Sequence, residues 1–214
     1  MALTTYTELK ASVADFLNRD DLTTVIPDFI TLAEAQINRD VRHWRMEARS
    51  SGQQDASDEY MQIPSDWVET IRLHLTGTGT TVVNLISRDA MADKRSAQKD
   101  TAGTPIYYTH ADSQFQLYPT PSADTDFELL YIQKLTALSG SNADNWLLLD
   151  SPDVYLYGAL LHSAPYLAED QRIAIWAQMY SAAVQRLNEA SELARFSGSG
   201  LRLKVRRINK NELF

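Results

Sequence analysis

The hydrophobic period of this chain changes twice, and that most restricts its fold. From about residue 5 to 47, apolar residues recur every three or four positions, as on a helix with one buried face. From 59 to 134 they alternate, as on a strand with one buried face. After 151 the helical spacing returns. Helices, then strands, then helices predict an α+β protein whose two terminal helical segments pack on each other. The expected organisation is a discontinuous helical bundle, 1–48 plus 151–196, with an inserted antiparallel β domain at 49–150 that holds one short helix. An extended C-terminal arm, 197–214, completes the chain.

Local signals place the elements. Thr5-Tyr-Thr-Glu8 is a capping box that opens a first helix with Leu9, Val13, Phe16 and Leu17 on its apolar face. Pro27 and Asp28 suit the first turn of a second helix, with the stripe Phe29, Ile30, Ala33, Ile37 and Val41, running through Trp44 to about Glu47. Residues 49–58 read as a polar loop. Strands are expected at 59–63, 67–75, 81–86, 106–109, 114–118 and 127–134, with a short helix at 88–98 capped by Ser87. Ser151 as N-cap, followed by Pro152 and Asp153, starts a helix reaching about 163. A longer one, 169–195, carries Ile173, Trp176, Ala177, Tyr180, Val184, Leu187 and Ser191 on one side.

The arm differs in charge from everything before it. Residues 201–214 hold five basic residues and one acid, so of the chain's net −8 the remainder carries −12. Leu201, Leu203 and Val205 alternate with Arg202, Lys204 and Arg206, followed by Arg207 and Ile208. Such a segment has one apolar and one cationic face, and a lone strand cannot satisfy its own backbone. Ser197-Gly198-Ser199-Gly200 supplies a hinge. The pattern predicts a docking arm in which residues 201–208 bind a partner by strand addition. The alternative is a nucleic-acid-binding module using this basic arm, though phosphate binding alone has no need of four apolar residues.

Chemistry is scarce in the rest of the sequence. With no cysteine, neither disulfides nor thiolate metal sites are available. His43, His74, His110 and His162 fall in separate elements without metal-ligand spacing. Gly77-Thr-Gly79 reads as a hairpin turn, not as a phosphate loop. The acids at 55–59 lack the order and glycine of a calcium loop. Arg39, Arg42 and Arg45 would share one helical face and read as an ion-pair face. Tyr107, Tyr108 and Tyr118 read as core or interface residues. No catalytic constellation, cofactor or metal site emerges, and no enzyme is expected. The chain has no apolar run long enough to span a bilayer, and Met1-Ala-Leu-Thr-Thr-Tyr6 lacks the regions of a signal peptide.

Several segments carry a family resemblance: Phe29-Ile-Thr-Leu-Ala-Glu-Ala-Gln-Ile-Asn-Arg-Asp40, Gly103-Thr-Pro-Ile-Tyr-Tyr108 and Leu117-Tyr-Pro-Thr-Pro121. Asn145-Trp-Leu-Leu148, Pro152-Asp-Val-Tyr-Leu-Tyr-Gly-Ala-Leu160 and Ala164-Pro-Tyr-Leu167 extend it. In order and spacing they resemble the head-to-tail adaptor proteins of tailed bacteriophages. The resemblance implies a dodecameric ring of neighbouring copies in the virion neck, assembled in the host cytoplasm. It implies portal protein as the partner of the C-terminal arm and a tail or nozzle protein on the distal side. DNA would pass through the channel without specific binding, which suits a body at −12.

Overall fold

Helix α1 (Tyr6–Leu17) begins with the expected capping box: the Glu8 amide donates to Thr5 Oγ1, and Glu8 Oε2 accepts from the Thr5 amide. A computed structural model describes residues 3–77, 79–97, 102–167 and 172–196. Leu9, Val13 and Leu17 of α1 are buried, while Phe16 is exposed and Ser12 faces inward in its place. Helix α2 (Ile26–Asp40) buries the whole predicted stripe of Phe29, Ile30, Ala33 and Ile37, with Val41 just beyond it.

Helix α2 ends earlier than its sequence suggests. Val41 adopts an extended conformation, and a 3-10 turn at Trp44–Met46 leads into strand β1 (Glu47–Gln54). This strand replaces the expected polar loop. It has almost no apolar residue to mark it; its partner defines it, because β7 (Thr125–Gln133) pairs with it antiparallel from Glu47–Ile132 to Gln54–Thr125. Gly52 sits against the Phe127 ring, where an added Cβ would lie 3.1 Å from Cζ.

The remaining strands fall close to expectation: β2 (Tyr60–Gln62), β3 (Trp67–Thr76), β4 (Thr80–Leu85), β5 (Tyr107–Ala111) and β6 (Gln114–Tyr118). Together they form a seven-stranded sheet in the order β1-β7-β3-β4-β5-β6-β2. The sheet is mixed, which corrects the expected antiparallel arrangement. Strands β4 and β5 run parallel because helix α3 (Arg88–Ala97) lies between them in sequence, and such a crossover returns the chain in the same direction. Ser87 caps α3 as predicted, its Oγ accepting from the Ala90 amide at 3.2 Å. β3 and β4 form the predicted hairpin around the two glycines, with Thr76 opposite Thr80. Strands β1 and β2 stand at opposite edges, yet Gln54 Nε2 reaches the Asp58 and Tyr60 carbonyls at 2.9 and 3.2 Å. The sheet is thus nearly closed into a barrel, filled by Met61, Leu73, Leu75, Phe115, Leu117 and Leu129 among others.

After β7 the chain enters α4 (Trp146–Asp150), an element not anticipated from its short apolar run, with Asn145 Oδ1 accepting from the Leu148 amide at 3.0 Å. Helix α5 (Pro152–His162) follows. Ser151 occupies its N-cap position, but the side chain makes no capping bond; Asp153 Oδ1 accepts from the Val154 amide at 3.1 Å instead. Helix α6 (Ile173–Phe196) is the longest. Residues of α1, α2, α5 and α6 share one buried cluster, which also receives Ile132, Leu135 and Leu138 from β7 and the segment after it. Helices α2 and α6 both come close to α5 at Gly158, where an added Cβ would lie 3.2 Å from Ala33 Cβ and 3.4 Å from Tyr180 Cε2.

Candidate partner-binding surfaces

The residues singled out for partner binding, Leu201, Arg202, Leu203, Lys204, Val205, Arg206, Arg207 and Ile208, lie outside the described residues. What the structure defines is the platform before them. Helix α6 buries Trp176, Tyr180, Ala183, Val184 and Ser191 on the side predicted by its spacing.

A line of polar contacts then fastens α6 to the segment joining α2 and β1. Tyr180 donates its hydroxyl hydrogen to Asp40 Oδ2 at 3.0 Å. Asn188 uses both ends of its amide, donating to the Asp40 carbonyl at 3.0 Å and accepting from the Arg42 amide at 2.9 Å. Ser191, fully buried, accepts from the Trp44 amide at 2.9 Å. Arg195 closes the series with an ion pair to Glu47. Past the end of α2 the backbone leaves its helical partners, and these side chains satisfy it. The last turns of α6 are thereby held against the first residue of the sheet.

Arg42 and Arg45 make ion pairs, to Glu69 at 3.2 Å and to Asp150, so the ion-pair reading holds for them. They do so from the 3-10 segment and its approach, not from one face of a continuous helix as the spacing suggested, because α2 stops at Asp40.

A groove of about 850 Å³ runs between α2 and α6. Gln36 and Asp40 line one side; Tyr180, Val184, Glu189 and Leu193 are among those lining the other. A second hollow of about 720 Å³ lies between α3 and the β5–β6 hairpin, beside Arg88, Arg95 and His110. Its cations are engaged in structure: Arg88 Nε donates to the His110 carbonyl at 2.9 Å, and Arg95 pairs with Glu59 at 2.5 Å.

The histidines are spread through the fold. His43 accepts from the Arg45 amide at 3.2 Å and stacks on Trp146, and burial lowers its pKa. His110 packs among Trp67, Tyr108 and Phe115 with its pKa also lowered by burial. His162 meets Gln36 at 2.9 Å. His74 Nε2 lies 3.7 Å from Glu128. The acids at 55–59 are used locally: Asp58 Oδ1 accepts from the Tyr60 amide at 2.9 Å, and Glu59 takes Arg95. Among the described residues no cluster of three potential metal ligands occurs, and no helix is long and apolar enough to cross a membrane.

Sequence patterning missed two structural polar residues, one half-buried and one buried, because a polar residue on a helix or in a loop reads as exposed. One is Asn188. The other is Glu34, which is 8% exposed and accepts from the Leu138 amide at 2.7 Å and the Tyr155 hydroxyl at 3.3 Å. Asn145 completes this network by donating to Tyr155 Oη at 2.7 Å and to the Thr136 carbonyl at 2.8 Å. Burial raises the Glu34 pKa against those two hydrogen bonds, and it raises that of Tyr155. The network ties the strand-to-helix passage, 134–145, to α2 and α5.

Comparison with curated proteins gave no match. Comparison with protein families matches the one described as SU10 adaptor protein over residues 4–203, from just before α1 to Leu203 of the arm. With nearly the whole chain covered, the protein belongs to the SU10 adaptor protein family.

Proposed function

We propose that this protein is the structural adaptor of a tailed-phage neck, forming a ring between the portal protein and the tail that continues the DNA channel. The family match over residues 4–203 carries this reading. In it, residues 1–48 with 151–196 act as one helical unit and 49–150 as an inserted β unit. Residues 201–208 add as a strand to portal, with Leu201, Leu203 and Val205 against its apolar surface and the basic residues toward its acids. A tail or nozzle protein binds the opposite side of the ring.

Two features support the reading. The chain outside 201–214 carries a net −12, and a carboxylate-rich channel offers no cations to replace the counterions condensed on DNA, so DNA slides through unbound. The stitching of α6 to residues 40–47 gives the arm a fixed point of departure. Many arms acting together then hold the neck, and portal templates the ring.

Electron microscopy of the purified protein mixed with its portal tests this. The expected result is a ring added beneath portal by the full chain and none by a folded chain ending at residue 200. Equal binding by the truncated chain would remove the arm from the mechanism. A closed ring formed without portal would remove templating.

A further inference from the structure

Helix α6 ends at Phe196, and the α2–α6 groove lies directly behind that end. Its apolar lining is Tyr180, Val184 and Leu193, and its acids are Asp40, Glu189 and Glu192; none of the described lining residues is basic. Leu193 is 74% exposed, more than any other large hydrophobic side chain among the described residues. Glu192 lies 3.8 Å from Arg195, whose other contact is Glu47. The groove is therefore an apolar trough with an acidic rim.

We propose that, before a partner is engaged, residues 201–208 of the same chain fold back into this groove, antiparallel to α6. The Gly198 and Gly200 positions allow the reversal of direction that this requires. The lengths agree. Extended chain advances about 3.3 Å per residue and helix about 1.5 Å, so 201–208 covers roughly the length of α6 from Phe196 back to Ser181. In that register Leu203 falls beside Leu193, and Val205 beside Glu189 and Asn188. The apolar face formed by Leu201, Leu203 and Val205 meets the trough, while Arg202, Lys204 and Arg206 meet its acids. The short tether makes the pairing intramolecular, with an effective concentration on the order of millimolar. A stowed arm keeps its cations from binding nucleic acid at random, and portal must displace it. This goes beyond the neck assignment and stands or falls without portal.

The absence of native cysteines makes a crosslinking test direct. In the full chain, Leu193→Cys with Leu203→Cys should form an intrachain disulfide under mild diamide oxidation. It should form at least ten times faster than Ala194→Cys with Leu203→Cys, since Ala194 is exposed, lies about 100° around α6 from Leu193 and does not line the groove. Adding Glu189→Lys and Glu192→Lys to the first pair should slow it severalfold. Circular dichroism of each variant confirms folding. Equal rates for the two pairs, or no effect of the charge reversals, would overturn the proposal. So would disulfides formed only between chains, which would place a neighbouring copy's arm in the groove.

Discussion

The Tyr180 hydroxyl stands 3.0 Å from Asp40 Oδ2, joining the middle of α6 to the last residue of α2. Tyr180 is 3% exposed, and burial beside this carboxylate raises its pKa. Tyr180→Phe keeps the ring in place and removes one hydrogen bond to a charged group. It should cost about 1.5–3 kcal/mol in urea unfolding. A cost near zero would show that Asp40 finds water instead.

Gly158 allows α2, α5 and α6 to meet. A leucine side chain there would collide with Ala33 and Tyr180, both within 3.5 Å of where its Cβ must sit. Gly158→Leu should destabilise the protein by about 1–3 kcal/mol or more, read as a lower urea midpoint. An unchanged midpoint would mean that the helices part without cost.

Glu34 predicts a pH dependence. A carboxyl whose folded pKa is raised stabilises the fold fully below its unfolded pKa and loses that contribution as pH rises through the folded value. The Glu34 contribution should therefore fall as pH climbs above about 4.5, the ordinary value. Glu34→Gln can still accept from Leu138 and Tyr155 but does not ionise. The variant's stability gain over the native chain should grow from acid toward neutral pH in parallel unfolding series. A gain independent of pH would assign the effect to something other than ionisation.

Gln54 holds the barrel edges together. Gln54→Ala leaves the Asp58 and Tyr60 carbonyls without this donor, and should cost about 1–3 kcal/mol. Hydrogen exchange should quicken first in β2, whose three residues pair only with β6. Loss of protection spread evenly through the fold would contradict a local seam.

For the arm, Leu203→Asp should weaken portal binding more than Lys204→Ala. The first would place an unpaired charge on the face patterned as apolar, while the second removes one of five basic residues in 201–214. Titration of each variant against portal measures the difference, and the reverse order would place the wrong face of the arm against the partner.

Legibility in the sequence followed how local each cause is. The capping box at Thr5, the stripe of α2 and strand β6 are written in residues a few positions apart, and they fall where their spacing puts them. Strand β1 is not written locally at all: Glu47-Ala-Arg-Ser-Ser-Gly-Gln-Gln54 has one small apolar residue to bury and becomes a strand only because β7 offers it a hydrogen-bonding edge. The predicted binding residues 201–208 lie outside what the structure describes, so their pattern remains the basis of that assignment.

The sequence alone determined the α+β class, the order of helical and extended regions, the charge contrast of the arm and, through its segments, the adaptor family. Hydrophobic period and net charge are properties of the chain itself, so they need no neighbour to be read. Only tertiary structure decided that β4 and β5 run parallel, that Glu34 is buried, and that Asn188, Ser191 and Arg195 of α6 hold the 40–47 segment. Those outcomes depend on partners about a hundred or more residues away, or on the direction in which a crossover returns. A polar side chain becomes structural only when folding removes its water and another group replaces it.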